Sequence, residues 1–436
     1  MSSASLVGET EGLRVHASNR YLETTEGEPF FWLADTAWEL TNRLELDEVA
    51  TYLDNRAQKG FTVILTNAIS HWAFQRPNPN GDFPFEDPES LVPVESYFAR
   101  LDQVLAMIAE RGFVIALLPT WGDKFYQHKG AGPEVFNGDN SAPYTRFLAK
   151  RYRHLPIVWV LGGDRIPRTD MHYAVIDAMA EGIREIVGDR QLITYHPWGN
   201  QGSDNFFHHR KWLDFNMVQS GHYAPDPLGF QLIERAYVRT PLKPVIEAEP
   251  CYEDHPIHFD PANGWFTDFE PRRAAYWALL SGSAGHSYGH HSVWQFYSDA
   301  EEPVSSARTE WIQALDYPGA HQMTVLRRFY EELPWWRLQP RQELLETDLP
   351  HPGATPRFAL DSKGAHALAY SPYGMPFSLN LNELAGRSFE AEWVNPKTGH
   401  RIALNQFAAG NESLLFDPPF DIARGNDWIL HLRATP

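Results

Sequence analysis

Carboxylates, histidines and aromatics in this sequence gather at the ends of short apolar runs, and chemistry is sought there first. In chain order these ends carry Asp35 and Trp38; Asn67 with His71 and Trp72; Trp121 with Asp123 and Lys124; then Asp164. They continue with His196 and Trp198, His222 and Tyr223, Glu249 with Tyr252 and Glu253, and finally His286, Tyr288 and Trp294. Flat aromatic rings stack on the apolar faces of sugars, while carboxylates, amides and imidazoles exchange hydrogen bonds with hydroxyls. The set therefore predicts a carbohydrate site, with the residues around the acids as substrate contacts. Glycoside hydrolysis needs two carboxyl groups about the scissile bond, one to protonate the departing oxygen and one to attack the anomeric carbon or activate water. Asp164, closing VWVLGGD, and Glu249, in VIEAEP, are the expected pair. Gly162 and Gly163 are expected to leave room for a sugar beside Asp164, and neighbouring negative charge or burial to keep it protonated.

Three other readings of these residues are open. Glu247 lies two positions before Glu249 on the same run, hence on the same strand face, and a slipped register would exchange their roles. Cys251 is chemically able to act as a thiolate nucleophile. His286, His290 and His291, with His208 and His209, raise a metal site, but no HExxH or comparable ligand set accompanies them, so neither metal nor cofactor is expected.

The elements that must position these groups are eight apolar runs, at 30–38, 61–69, 113–122, 157–164, 192–199, 215–223, 244–253 and 282–291. Continuous apolar runs suit strands buried on both faces. Between them, Val49, Leu53 and Ala57, then Phe98, Leu101, Leu105 and Ile108, then Val175, Met179, Ile183 and Ile186 keep helical spacing. Gly60, Gly112 and Gly188 stand where these helices should stop. Strand and helix alternating eight times predict an α/β fold, a (β/α)8 TIM barrel over residues 1–340, whose working residues sit at the carboxyl ends of the strands. The segment HWAFQRPNPNGDFPFEDPESLVP after the second run is a long loop expected to line the barrel mouth. From 346 to 436 only short alternating segments remain, predicting a small antiparallel β-sandwich that packs on the barrel.

Composition narrows the class. The balance of 37 basic against 56 acidic residues, net −19, opposes a phosphate backbone, so no nucleic-acid partner is expected. No stretch approaches the about 18 uninterrupted apolar residues of a membrane helix. The single cysteine cannot form an internal disulfide. MSSASLVGETEGLRV has neither the basic start nor the apolar run of a leader, so the expected location is cytoplasmic.

The motifs FFWLADTAWEL, RPNPNGDFPF, LLPTWGDK, VWVLGGD, PVIEAEPCYE and GHSYGHHSVWQF, followed by a small β-domain, resemble the apiosidase-like glycoside hydrolases of glycoside hydrolase family 140. The resemblance spans nearly the whole chain, including the module that the family labels collagen-binding. It implies that Asp164, the aspartate of GGD, is the acid/base and Glu249 the nucleophile, that no cofactor is needed, and that the partner is a plant oligosaccharide or glycoside. It further implies an exo-acting retaining enzyme releasing apiose from glycans such as rhamnogalacturonan II. Two alternatives stay open: a glycosidase of the same chemistry acting on another furanoside or pyranoside, and an inactive glycan- or protein-binding protein.

Overall fold

Each of the eight apolar runs contributes one strand to a parallel barrel in the computed structural model, which describes residues 12–347, 351–410 and 412–435. Residues 1–11, on which most of the leader expectation rests, lie outside the described residues. The strands are β1 (Trp32–Thr36), β2 (Val63–Asn67), β3 (Val114–Leu118), β4 (Ile157–Gly162), β5 (Ile193–His196), β6 (Asn216–Gln219), β7 (Val245–Glu247) and β8 (Gly285–Tyr288). They follow one another around the sheet in chain order, with β8 paired to β1. The remaining seam, β5 to β6, is closed by Asp214 N–H on Ile193 O at 2.9 Å and by Thr194 Oγ1 on Phe215 O at 2.7 Å. All of these strand residues are buried, which is why they read as unbroken apolar runs.

Helices α1 (Leu46–Gln58), α2 (Glu95–Glu110), α3 (Ser141–Tyr152), α4 (Asp170–Val187), α5 (Gly229–Tyr237), α6 (Phe269–Leu280) and α7 (Pro318–Glu331) surround the barrel. The alternation is broken once. After β5 the chain makes the two-residue strand Gln201–Gly202, antiparallel to β6, and a single 3-10 turn, Ser203–Asn205. The segment GNQGSDNFFHHRKW has no three-and-four apolar spacing with which to build a helix. The expected stripe on α1 also shifts: Ala57 is exposed, and Tyr52 and Arg56 are buried beside Val49 and Leu53. Arg56 is drawn inward by Asp35, 2.7 Å away, both side chains fully buried. Gly60, Gly112 and Gly188 all take left-handed φ at the helix ends, as their positions predict. No helix among the described residues is long and apolar enough to cross a membrane.

The β-domain consists of two antiparallel sheets, of seven and three strands, around Phe358, Phe389, Trp393 and Trp428. Its first strand, Leu338–Pro340, lies inside the stretch expected to close the barrel, because Leu338 pairs with Asp361 and Arg337 ties to the same carboxylate at 2.8 Å. The barrel core runs on into this domain: Tyr276 stacks on Tyr370 at 5.0 Å, and Trp277 Nε1 donates to Thr355 O at 2.8 Å. Between them Arg272 of α6 grips Asp427 with two 2.8 Å hydrogen bonds, both side chains fully buried. Removing one partner of a buried ion pair leaves the other charge desolvated and unpaired. Arg272→Ala is expected to lower stability by about 3–5 kcal/mol. Urea unfolding of the two proteins would measure it, and a loss below about 1 kcal/mol would mean that the pair carries no weight in joining the domains.

Candidate active site

The turn that presents Asp164 is built from backbone conformations that ordinary residues avoid. Gly162, Gly163 and Asp164 have φ of 94°, 96° and 52°. A Cβ on Gly162 would stand 2.5 Å from the His196 carbonyl oxygen, and one on Gly163 2.9 Å from the Gly122 nitrogen. The glycines therefore make room for neighbouring backbone, not for a sugar as the sequence reading expects. The tight turn is what carries the Asp164 carboxyl off the end of β4 with 28% of the side chain open to the cavity. A non-glycine residue held at positive φ is a strain that surrounding structure must maintain, and such residues cluster at functional sites.

Glu249 arrives differently. β7 ends at Glu247, and the next residues leave the ladder with Ala248 N–H on Val218 O at 2.8 Å and Gly221 N–H on Glu249 O at 3.1 Å. The strict two-residue alternation stops there, so Glu247 and Glu249 do not share surroundings. Glu247 accepts from Ser220 N and Oγ at 3.1 and 3.2 Å and does not line the cavity. Glu249 does line it, accepting from Gln219 Nε2 at 2.5 Å. His222 Nε2 stands 3.4 Å from its Oε1 and His196 Nε2 3.4 Å from its Oε2, and His196 Nδ1 is 3.6 Å from Asp164 Oδ1. One oxygen of each carboxyl and a ring nitrogen of His196 all lie within 4.8 Å of one another.

This geometry drives the two carboxyls apart in proton affinity. Burial raises Asp164, and the adjacent negative charge of Glu249 raises it further, to about 7 against the lesser pull of His196 and Arg165. Burial also acts to raise Glu249, but hydrogen bonds from His196 and His222 outweigh it and hold this carboxyl well below the usual range. For His196 burial favours the neutral ring, yet the hydrogen bond and charge of Glu249, with the charge of Asp164, carry its pKa upward. Near neutral pH the site thus offers a carboxyl that still retains its proton in part, an ionised carboxylate, and between them an imidazole whose protonated form the two carboxyls favour. Deleting the second imidazole tests the arrangement: His222→Ala removes one of the interactions that keep Glu249 ionised, so its pKa rises. The acidic limb of kcat/KM is expected to move to higher pH; an unmoved limb would show that His222 does not hold Glu249 ionised.

The cavity over these groups has a volume of about 240 Å³. It is lined by Trp38, Asn67, Trp72, Trp121, His222, Tyr223, Tyr252 and Trp294 among the expected residues, together with His71, Trp198 and Arg165. His196 lies fully buried between the carboxylates. Trp72 and Trp294 stack on each other at 6.3 Å, and Trp38 sits edge-on to both Trp121 and His196. The long loop after β2 reaches the cavity through His71 and Trp72; farther along it folds on itself, with Asn78 Oδ1 accepting from Asn80 N and Asp82 N.

Five expected contacts do not reach the cavity. Asp35 accepts from Tyr52 OH and Arg56 Nε, both at 2.7 Å, on the helix-facing side of the barrel. Tyr288 pairs with Asp35 in the sheet and donates to Glu253 at 2.5 Å, while Glu253 also accepts from Gly319 N–H at the start of α7. His286, two residues before Tyr288, shares that outward face, and burial holds its pKa down at about 3. Lys124 Nζ donates to His71 O at 2.7 Å and Gly132 O at 2.6 Å, pinning two loops from beneath. In each case one step of strand or loop parity decides the direction, and the end of a strand does not reveal it. Cys251 is buried off the cavity, and burial keeps its thiol protonated. Glu39, Gln219, His128, Lys129, His255 and Phe259 line the cavity without having been anticipated. Gln219 was legible, since it ends the sixth apolar run.

A parallel barrel with two carboxyls after its fourth and seventh strands, facing an aromatic-walled cavity, defines a glycoside hydrolase. Residues 16–337 match the family described as "Apiosidase-like, catalytic domain", and the chain belongs to that family. Residues 340–433 match "Putative collagen-binding domain of a collagenase". A solved structure named as a glycoside hydrolase is 29% identical, with a TM-score of 0.89 over 97% of each chain. A glycoside hydrolase family 5 protein from Bacteroides vulgatus ATCC 8482 is 30% identical, with a TM-score of 0.87 over 97% of this chain and 93% of that one. No curated protein matches the chain.

Proposed function

We propose that the protein is an exo-acting, apiosidase-like glycosidase that removes a terminal apiosyl or related sugar from a plant glycan or glycoside with retention of configuration. The observation that carries the mechanism is the approach of the two carboxyls, whose nearest oxygens lie within 4.8 Å. Retaining enzymes hold the pair about 5–5.5 Å apart, whereas inverting ones need about 6.5–9.5 Å to seat a water. Glu249 attacks the anomeric carbon as Asp164 gives its proton to the departing oxygen, leaving a glycosyl–enzyme ester. Asp164, now ionised, takes a proton from water as that water attacks the same carbon; the sugar leaves and Glu249 is regenerated. The small cavity supports action on one terminal residue, being below the about 300–1,000 Å³ of sites for larger ligands. The exposed Lys129 of its lining, with Arg165 buried in the wall behind, sets local positive charge against the chain's net −19, which suits an acidic aglycone.

Incubation with aryl glycosides, apiin and rhamnogalacturonan II fragments tests the reading, with released monosaccharide identified by chromatography and its first-formed anomer by NMR. Apiose released in the configuration of the substrate is expected. Another sugar would keep the hydrolase and discard the apiosidase reading, and the opposite anomer would discard retention.

A further inference from the structure

One wall of the cavity holds two buried polar side chains that the protein leaves under-satisfied: neither the side-chain oxygen nor the nitrogen of Asn67 has a hydrogen-bond partner, and the Glu39 carboxyl has only the Ser70 hydroxyl to interact with. Glu39 and Asn67 line the cavity and are 1% and 0% exposed. Buried polar atoms are nearly always paired, because water was surrendered to bury them. The backbones that present these side chains are held in place. Glu39 N–H donates to Trp294 O at 3.1 Å, and its carbonyl accepts from Asn42 N and Arg43 N at 3.1 and 2.9 Å. Thr41 Oγ1 donates to Asn67 O at 3.0 Å, locking the loop after β1 to the end of β2.

An internal ion pair does not account for Glu39 either. Arg43 points to Glu301 at 3.9 Å, and Lys124 is committed to two loop carbonyls. Burial pushes the Glu39 carboxyl up to about 7, outweighing Arg43 and Ser70, so near neutrality it can donate as well as accept. Asn67 likewise offers both a donor and an acceptor. Trp38, next to Glu39, packs edge-on against His196, so this polar wall begins beside the imidazole that joins the two catalytic carboxyls.

We infer that Glu39 and Asn67 together bind neighbouring hydroxyls of the terminal sugar and thereby determine which sugar the enzyme accepts. This rests on the glycosidase reading, and the test separates the two. Calorimetry measures binding of free apiose and a set of aldopentoses and aldohexoses to the Asp164→Asn protein, with and without Glu39→Ala or the isosteric Glu39→Gln. In parallel, KM and kcat are measured for aryl glycosides and their deoxy analogues with Asp164 intact. Glu39→Ala is expected to weaken binding of the preferred sugar and raise KM by about 10- to 100-fold, with less effect on kcat. Glu39→Gln, which keeps the fold and one acceptor, should recover part of the loss, and the analogue lacking the bound hydroxyl should be indifferent to Glu39→Ala. Binding and KM within twofold of the parent, or equal losses with the deoxy analogue, would overturn the inference while leaving hydrolysis intact. Sugar binding that depends on Glu39 without any hydrolysis by the wild type would sink the glycosidase reading and keep the inference; no binding of any sugar would sink it.

Discussion

Glu249→Ala is expected to lower kcat by at least about 10,000-fold, and sodium azide to restore part of the loss by making a glycosyl azide of inverted configuration. The size of the effect follows from the role: without the carboxylate no covalent intermediate forms, and the remaining groups can only bind and polarise the substrate. The product follows from the geometry. Truncation at Glu249 opens a space beside Gln219, which donates toward the missing carboxyl, and beside the ring nitrogens of His222 and His196, so a small anion can occupy it. Azide there attacks from the face that Glu249 would have used, in a single displacement. NMR of the product checks the assignment. A glycosyl azide of retained configuration would identify Glu249 as the acid/base instead, and undiminished activity would remove it from the mechanism.

Asp164→Asn is expected to reduce kcat about 100- to 10,000-fold on substrates with a poor leaving group, and far less on nitrophenyl glycosides, whose departing oxygen needs no proton. A loss equal for both would mean that Asp164 positions substrate and does not transfer a proton. The pH profile supplies the second check. Asp164 must hold its proton to act, so activity falls as pH rises through its pKa of about 7. Glu249 must be ionised, so activity falls on the acid side only as pH drops well below the ordinary carboxylate range. The wild-type kcat/KM profile is therefore bell-shaped with an alkaline limb near neutrality. Asp164→Asn should abolish that limb, and its persistence would assign the limb to another group.

Much of this organisation was legible in the chain because it depends on local pattern. Asp164 and Glu249 stand just past buried strands whose apolar runs no solvent-facing element would tolerate, and the chain order of those runs is their order around the barrel. The helix stripes on α2 and α4 read correctly for the same reason. The helix absent after β5 was misjudged because eightfold repetition was assumed where the residues lacked its spacing. Asp35, Lys124, Glu253, His286 and Tyr288 were placed at the site by strand-end position alone. A strand end has two faces, and each of these five is spent on structure.

What the amino-acid sequence determined by itself is therefore the barrel, the appended β-domain and the two carboxyls, since burial on both strand faces and the motifs about Asp164 and Glu249 are written in residue type and spacing. Only the tertiary structure decided how those carboxyls differ. Their separation, the imidazole of His196 between them and the desolvation that raises the proton affinity of Asp164 arise from side chains on β5 and β6 and just past the ends of β4, β6 and β7, which meet only when the barrel closes. The same closure brings Glu39 and Asn67 to one wall. Electrostatic energy depends on distance and burial in space, and neither is a property of positions along a chain.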